Sequence, residues 1–178
     1  MRSALLSLAL LLLAAPAADA ASTLTIEAGE HTVTRIGSFR PGADPTIAAA
    51  ERAFGEASAT RDVGEGCRVD WRRLRLRMYF ANFGSVPRDR GVCHPRVGKA
   101  QTFTVRGARL RTWRGLRVGQ RSSAVRRRHP AARFREGTWW LRSAVSQVGT
   151  SSEYAVLRAV VAAGRVRSLG GWIGAAGE

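Results

Sequence analysis

The stretch RRLRLRMYF, residues 72–80, alternates between basic and apolar side chains and decides the fold that the sequence predicts. Its apolar members share one face of an extended chain, and they are Leu74, Leu76, Met78 and Phe80. The opposite face carries Arg73, Arg75, Arg77 and Tyr79. A period of two over this length is typical of a β-strand that buries one face and exposes the other. The stretch therefore predicts an antiparallel sheet with a basic outer face.

Other segments predict further strands of such a sheet. QTFTVR at residues 101–106 is one, the run before Trp71 is another, and the short aromatic run TWWLR at residues 138–142 is a third. Residues 154–174 indicate a hairpin that turns near residues 163–164, where Ala is followed by Gly. The chain is therefore expected to be rich in antiparallel strands.

Two glycine motifs indicate an internal repeat, because residues 36–55 can be aligned with the arginine-rich stretch at residues 114–130. In this alignment Gly42 and Gly119 are equivalent turn positions, each of which precedes a short predicted helix and is expected to need a conformation or packing that only glycine allows. In the first helix Asp44 is the expected N-cap.

The second predicted helix contains three consecutive arginines, Arg126, Arg127 and Arg128. Their arc around a helix is too wide for all three to be buried, and the neighbouring Ala124 and Val125 are expected to point inward. A helix that reads bases would need polar side chains at such positions. The stretch therefore indicates a structural helix with a solvated basic face and no specific nucleic-acid binding.

These elements predict an α+β fold of two tandem units, one spanning residues 21–107 and the other residues 108–178. Each unit is expected to pack a short helical segment on one face of about three to four antiparallel strands. The other face is the candidate binding face, which is expected to carry Arg73, Arg75, Arg77, Tyr79, one of Trp139 and Trp140, and also Arg165 and Arg167.

Residues 1–20 have the pattern of a secretory signal peptide. One early cation, Arg2, precedes an apolar run of about a dozen residues, and residues 18–20 read Ala-Asp-Ala before the expected cleavage point. The run is too short to span a bilayer core of roughly 30 Å. The sequence therefore predicts a mature chain that begins at Ala21, is secreted or otherwise extracytoplasmic, and has no transmembrane segment after cleavage.

Cys67 and Cys93 are the only cysteines. In an oxidising compartment a lone pair most simply forms one disulfide, which would contribute roughly 3–4 kcal/mol on the chain-entropy model. A metal site is the alternative, since His94 follows Cys93 and His31 has no assigned role. Structural zinc sites use four closely spaced ligands, and that spacing is absent. We therefore expect a disulfide, no metal and no other cofactor.

The net charge is distributed unevenly along the chain. Residues 21–71 carry five Arg and eight acidic residues, whereas residues 72–178 carry 22 Arg, one Lys and four acidic residues. Such asymmetry is typical of a surface that faces a polyanion. The strong preference for Arg over Lys also fits the codon usage of a GC-rich genome, so a merely solvated basic surface is an equal alternative.

An apolar residue followed by Arg, one further residue and Gly occurs at residues 39–42 and again at residues 116–119, each time before a predicted helix and antiparallel strands. In this pattern residues 24–178 resemble the tandem repeat of the beta-lactamase inhibitor protein family. They are also similar to the related module of outer-membrane assembly lipoproteins of the BamE/SmpA type. The resemblance implies a secreted protein whose concave sheet face binds a partner protein, and it implies no individual contact residue.

This chain departs from those families in its cysteines and in its charge. Its second unit has no cysteine, no cysteine for lipidation follows the expected cleavage point, and the sheet face is unusually basic. These departures bear on the binding function that the resemblance implies. The architecture that it implies does not depend on them.

The sequence contains no G-x-S-x-G, H-E-x-x-H, P-loop or G-x-G-x-x-G motif. Each histidine has a structural interpretation: His31 in a polar loop, His94 beside the disulfide, and His129 at a helix end, where a positive charge would suit the helix dipole. We therefore expect a protein without enzymatic activity.

Two functions remain open at this point. The first is an exported binding module that recognises an unidentified partner protein through an open sheet face and could act as an inhibitor. The second is an electrostatic binder of anionic cell-envelope polymers or lipid headgroups. Salt separates them, because polyanion binding falls steeply with ionic strength and aromatic-anchored recognition falls less.

Overall fold

The computed structural model describes residues 23–82, 91–146 and 151–174. The expected signal peptide, residues 1–20, lies outside these described residues. Eleven strands and two helices occur in the described part of the chain. They are β1 Leu24–Ala28, β2 Val33–Ile36, α1 Ile47–Phe54, β3 Ala59–Asp62, β4 Gly66–Trp71, β5 Leu76–Ala81, β6 Lys99–Val105, β7 Leu110–Thr112, α2 Ser123–Arg128, β8 Arg133–Arg135, β9 Thr138–Ser146, β10 Ser152–Ala162 and β11 Arg165–Trp172.

The strands form two sheets. The larger is an eight-stranded antiparallel sheet in the order β3-β4-β5-β6-β11-β10-β9-β8. Its central pair is β6 and β11, in which Val105 lies opposite Leu169 and Thr102 lies opposite Trp172. The smaller is a three-stranded sheet in the order β2-β1-β7, in which β1 pairs antiparallel with β2 and parallel with β7.

The predicted α+β fold of two helix-plus-strand units is wrong. The molecule is mostly β, and strands from both predicted units belong to one hydrogen-bonded sheet because β6 pairs with β11. The helices are short, with eight residues in α1 and six in α2. A sheet with a free apolar edge is prone to pair with another strand, and the β6–β11 pairing removes such an edge from each half.

One face of the large sheet is buried, and this inner face holds the core. Val69 of β4, Met78 of β5 and Phe103 of β6 follow one another across the sheet and are 0–3% exposed. They belong to one apolar cluster with Ile26 of β1 and Ile47 of α1. The three-stranded sheet and the helices thus form the second layer of the fold.

The stretch at residues 72–80 is a strand only from Leu76 onward. Residues 72–75 form the turn between β4 and β5, in which the Leu74 amide donates to the Trp71 carbonyl and the Arg75 amide donates to the Arg72 carbonyl. Arg75 has a φ of 51°, a turn conformation that no strand residue adopts. The alternation of inward and outward side chains therefore applies only to residues 76–80 of the stretch.

Helix α1 begins two residues later than expected and is capped by Thr46. The Thr46 hydroxyl accepts a hydrogen bond from the Ala49 amide at 3.2 Å. The predicted cap, Asp44, instead accepts from the Thr46 hydroxyl at 2.7 Å, and this bond contributes most to lowering the pKa of Asp44. The cap prediction is wrong because Asp44 and Thr46 are both able to cap the helix. Thr46 is nearer the first turn, and its side chain caps the helix.

The two glycines aligned in the predicted repeat differ in conformation. Gly119 has a φ of 90°, whereas Gly42 is not among the residues of positive φ. At neither position would a Cβ meet another atom within 4 Å. The expected need for glycine therefore has a physical basis at Gly119 alone, where the backbone angle is one that side chains disfavour.

The expected disulfide joins Cys67 to Cys93, with 4.9 Å between their Cα atoms. Cys67 lies in β4 and is fully buried. Beyond Cys93 the Pro95 carbonyl accepts from the Ala48 amide at 3.0 Å, which ties this loop to the first turn of α1. A disulfide is compatible with an extracellular protein. Neither helix of the described residues is long and apolar enough to cross a membrane.

Candidate functional site

The face of the large sheet opposite the core, called the open face below, is crossed by a single row of paired residues. From β3 to β8 the row reads Ala59, Asp70, Arg77, Thr104, Gly170, Arg158, Trp140 and Arg133. Residues paired across strands point to the same side of a sheet, so these side chains share the open face. Arg77 and Arg158 are exposed, and no element of the described residues packs over them.

At the β4–β5 end of the row, the carboxylate of Asp70 holds the side chain of Arg77 in place. The Arg77 Nε donates to Asp70 Oδ1 at 2.7 Å, and Arg68 Nε lies 3.8 Å from Asp70 Oδ2. Tyr79 lies in the neighbouring row, opposite Arg68. Its ring packs over Gly66, where a Cβ would come within 2.7 Å of the phenol. Asp70 and Gly66 therefore set the positions of Arg77 and Tyr79.

At the β8 end a second acid holds two arginines. Arg133 and Arg135 both donate to the Glu153 carboxylate, which also accepts from the Ser143 hydroxyl at 2.8 Å. The Ser143 hydrogen bond is the largest cause that lowers the pKa of Glu153, and Arg133 and Arg135 act in the same direction. The Arg135 guanidinium lies 5.5 Å from the Trp140 ring centroid. Glu153 thus anchors the edge strand β8 and its cations.

A depression of about 340 Å³ lies near the centre of the open face. Its lining includes Thr102, Trp140, Arg158 and Trp172, together with the acids Glu136 and Glu153. Within the described residues, the buried indole Nε1 of Trp172 has no hydrogen-bond partner. Arg158 makes no ion pair with any described residue. A buried donor without a partner is costly, and the exposed Arg158 guanidinium is a donor of this centre that a partner can reach directly.

The structure places three of the predicted face residues on the open face: Arg77, Tyr79 and Trp140. Trp139 lies on the inner side instead, 5.2 Å from the Arg126 guanidinium of α2. One of the two tryptophans is expected on this face, because adjacent strand residues point to opposite sides, and Trp140 takes the outer position.

Four predicted arginines lie outside the row of paired residues, two in a turn and two at the hairpin end of β11. Arg73 and Arg75 belong to the β4–β5 turn described above. Arg165 donates to the Gly119 carbonyl at 2.9 Å, and Arg167 donates to the Ala162 carbonyl at 3.2 Å. The last two are held at the β10–β11 hairpin, where a bulge interrupts the alternation.

Sequence reasoning missed Arg158, Trp172 and Asp70. Arg158 is the only charged residue between Tyr154 and Ala163, so an isolated cation within an apolar strand was a usable signal. Trp172 follows two glycines in β11, and no local pattern shows which face it takes. Its position depends on the pairing with Thr102 of β6.

His129 lies in a separate cleft of about 360 Å³ and is 3% exposed. Its Nε2 is 2.8 Å from the Thr112 hydroxyl, which also accepts from the Leu116 amide. Burial, together with the nearby Arg114 charge, lowers the pKa of His129 to about 4. The expected positive charge at this helix end is therefore wrong, because the ring is neutral near pH 7 and ties α2 to β7.

Within residues 23–82, 91–146 and 151–174, no three His, Cys, Asp or Glu side chains cluster in a way that could hold a metal ion. No family model matches the chain, and no curated protein and no solved structure matches it significantly.

Proposed function

We propose that this chain is an exported binding module without enzymatic activity, which recognises a partner protein through the open face. The observation that carries the proposal is the centre of that face, where two tryptophans, Trp140 and Trp172, line one depression with Arg158, which makes no ion pair with a described residue. The acids Glu136 and Glu153 also line this depression. Trp and Arg are enriched among interface hot spots because they bury a large area and also donate hydrogen bonds.

The size of the face supports protein recognition. Eight strands at a spacing of about 4.8 Å make a surface about 34 Å wide. A standard interface needs roughly 800 Å² on each partner, which such a surface supplies. The face is also preorganised, because Asp70 fixes Arg77 and Glu153 fixes Arg133. Side chains already held in place lose less entropy on binding.

Export is part of the proposal and rests on two observations. The first 20 residues have the order of a signal peptide. The Cys67–Cys93 disulfide is compatible with an oxidising compartment.

The second candidate function, electrostatic binding of anionic envelope polymers or lipid headgroups, is favoured by the excess of arginine over acid on the open face. Asp70 and Glu153 count against it, because both carboxylates lie among these arginines and would repel a uniform polyanion. Mixed charges in fixed positions fit a protein surface of complementary pattern better.

The test is capture of extracytoplasmic proteins by the immobilised mature chain. We compare wild type with the double variant Arg158→Ala/Trp172→Phe, which removes the Arg158 guanidinium and the Trp172 indole N–H. The control is Arg127→Ala, which removes an exposed arginine on α2. The central variant should weaken binding of a captured protein by about tenfold or more, which is about 1.4 kcal/mol. The α2 variant should bind like wild type, and melting temperatures show whether each variant is folded.

Equal capture by wild type and the central variant would show that binding does not use this site. Loss of all capture when the salt is raised to moderate concentration would favour the polyanion alternative.

A further inference from the structure

A groove of about 570 Å³ lies at one end of the open face, where the β4–β5 turn meets the end of β6. Its charged lining consists of Asp70, Arg72, Arg75, Arg77 and Arg106. A cleft of this size is in the range that encloses small ligands or several side chains of a partner. The groove is distinct from the central depression, with which it shares no lining residue.

The backbone brings the arginines of this groove together. The Arg106 amide donates to the Arg75 carbonyl at 2.9 Å, and the Arg75 amide donates to the Arg72 carbonyl at 3.1 Å. The next residue, Gly107, permits this approach, because a Cβ there would lie 2.4 Å from the Leu74 carbonyl oxygen. Convergence of the turn and the strand end is therefore built into the fold.

The groove is short of negative charge. Four guanidinium groups face one carboxylate, that of Asp70, which pairs with Arg77. Arg72, Arg75 and Arg106 are exposed and make no ion pair with a described residue. Clustered cations repel one another, and an arriving anion relieves this repulsion. Guanidinium groups bind carboxylates through two parallel hydrogen bonds, which adds geometry to the attraction.

We propose that this groove binds the carboxylates of an Asp- or Glu-rich segment of the partner protein, an inference that rests on the proposed function. The groove and the central depression lie along the same row of paired residues. Arg77 and Thr104 of this row line the groove, and Arg158 and Trp140 of the same row line the depression. A partner seated on Arg158 can therefore extend into the groove. The Asp70 carboxylate in the wall favours discrete side chains over a uniform polyanion.

The probe is a synthetic oligoglutamate peptide, titrated calorimetrically into the intact mature protein at low salt. The groove variant is Arg72→Gln/Arg106→Gln. Its matched control is Arg111→Gln/Arg127→Gln, which changes the net charge equally at exposed positions on β7 and α2. We expect the dissociation constant to rise about tenfold or more in the groove variant. In the control it should rise less than about twofold, by long-range charge alone.

Equal weakening by both variants would overturn the proposal, because the binding would then be diffuse. Inorganic polyphosphate is the second probe. Tighter binding of polyphosphate than of oligoglutamate, with the same loss in the groove variant, would assign the groove to an anionic polymer instead.

The outcomes are separable from those of the proposed function. Capture that depends on Arg158 and Trp172, with oligoglutamate binding that ignores Arg72 and Arg106, would reject the groove and keep the binding face. Groove-dependent peptide binding, with capture that ignores Arg158 and Trp172, would reject the centre as the recognition site and leave an acid-binding groove without the proposed interface.

Discussion

At the scale of single residues, the buried His129 makes the stability of the fold depend on pH. Its pKa falls from 6.5 to about 4 on folding, so the unfolded chain takes up the proton first as the solution is acidified. The stabilisation is complete above pH 6.5 and is lost as the pH falls toward 4. A shift of this size corresponds to about 3 kcal/mol.

We expect wild type to lose about 2–3 kcal/mol between pH 7.5 and pH 4.5 from this group, beyond the change common to all variants. His129→Gln removes the titrating group and should show a shallower loss over the same range. Urea unfolding of each protein at both pH values measures this slope. His31→Gln is the control, because His31 is exposed and its hydrogen bond from Tyr154 uses the backbone carbonyl, which the substitution keeps. Parallel slopes for His129→Gln and wild type would contradict the assignment.

At the scale of elements, the turn before α2 depends on a backbone conformation that favours glycine. Gly119 has a φ of 90°, and its amide donates to the Val166 carbonyl of β11 at 2.8 Å. Gly119→Ala is therefore expected to destabilise the protein by about 1 kcal/mol, since a side chain disfavours this angle. Gly42→Ala, at an exposed position without positive φ, should change stability by less than about 0.5 kcal/mol.

Chemical denaturation of the two variants measures the difference. Equal destabilisation would mean that both glycines share a requirement that their backbone angles do not explain. The sequence alone treats the two positions as alike, because both follow an apolar-Arg-x motif. The φ angle and the hydrogen bond from the Gly119 amide to Val166 separate them.

At the scale of the whole molecule, one sheet and one core should give one cooperative unit. The β6–β11 pair joins the two halves of the large sheet, and the apolar cluster runs through both. Unfolding of the oxidised protein followed by tryptophan fluorescence and by far-UV circular dichroism should therefore give coincident single transitions. Two separate transitions would indicate independent units.

The variant Gly171→Ala sharpens this prediction. A Cβ at Gly171 would lie 2.5 Å from the Val156 carbonyl oxygen and 2.9 Å from the Phe103 ring, at the junction of the two halves. We expect a loss of about 2 kcal/mol or more, shared by both signals. A loss confined to one signal would contradict the single unit.

The sequence by itself determined what depends on neighbouring residues. The alternation in residues 76–80, the hairpin turn at residues 163–164 and the inward side of Ala124 and Val125 follow from local periodicity and turn chemistry, and the structure confirms them. The pairing of Cys67 with Cys93 was also predictable, since no other cysteine competes.

Only the tertiary structure decided which strands meet and which side chains share the open face. Trp172 and Arg158 line one depression because β11 pairs with both β6 and β10, and those pairings join residues far apart in sequence. Arg73 and Arg75 lie in a turn instead of a strand for the same reason, since the chain must fold back for β4 to meet β5. Strand pairing is set by the burial of a common apolar face and by closure of long loops, and neither leaves a local signal in the chain.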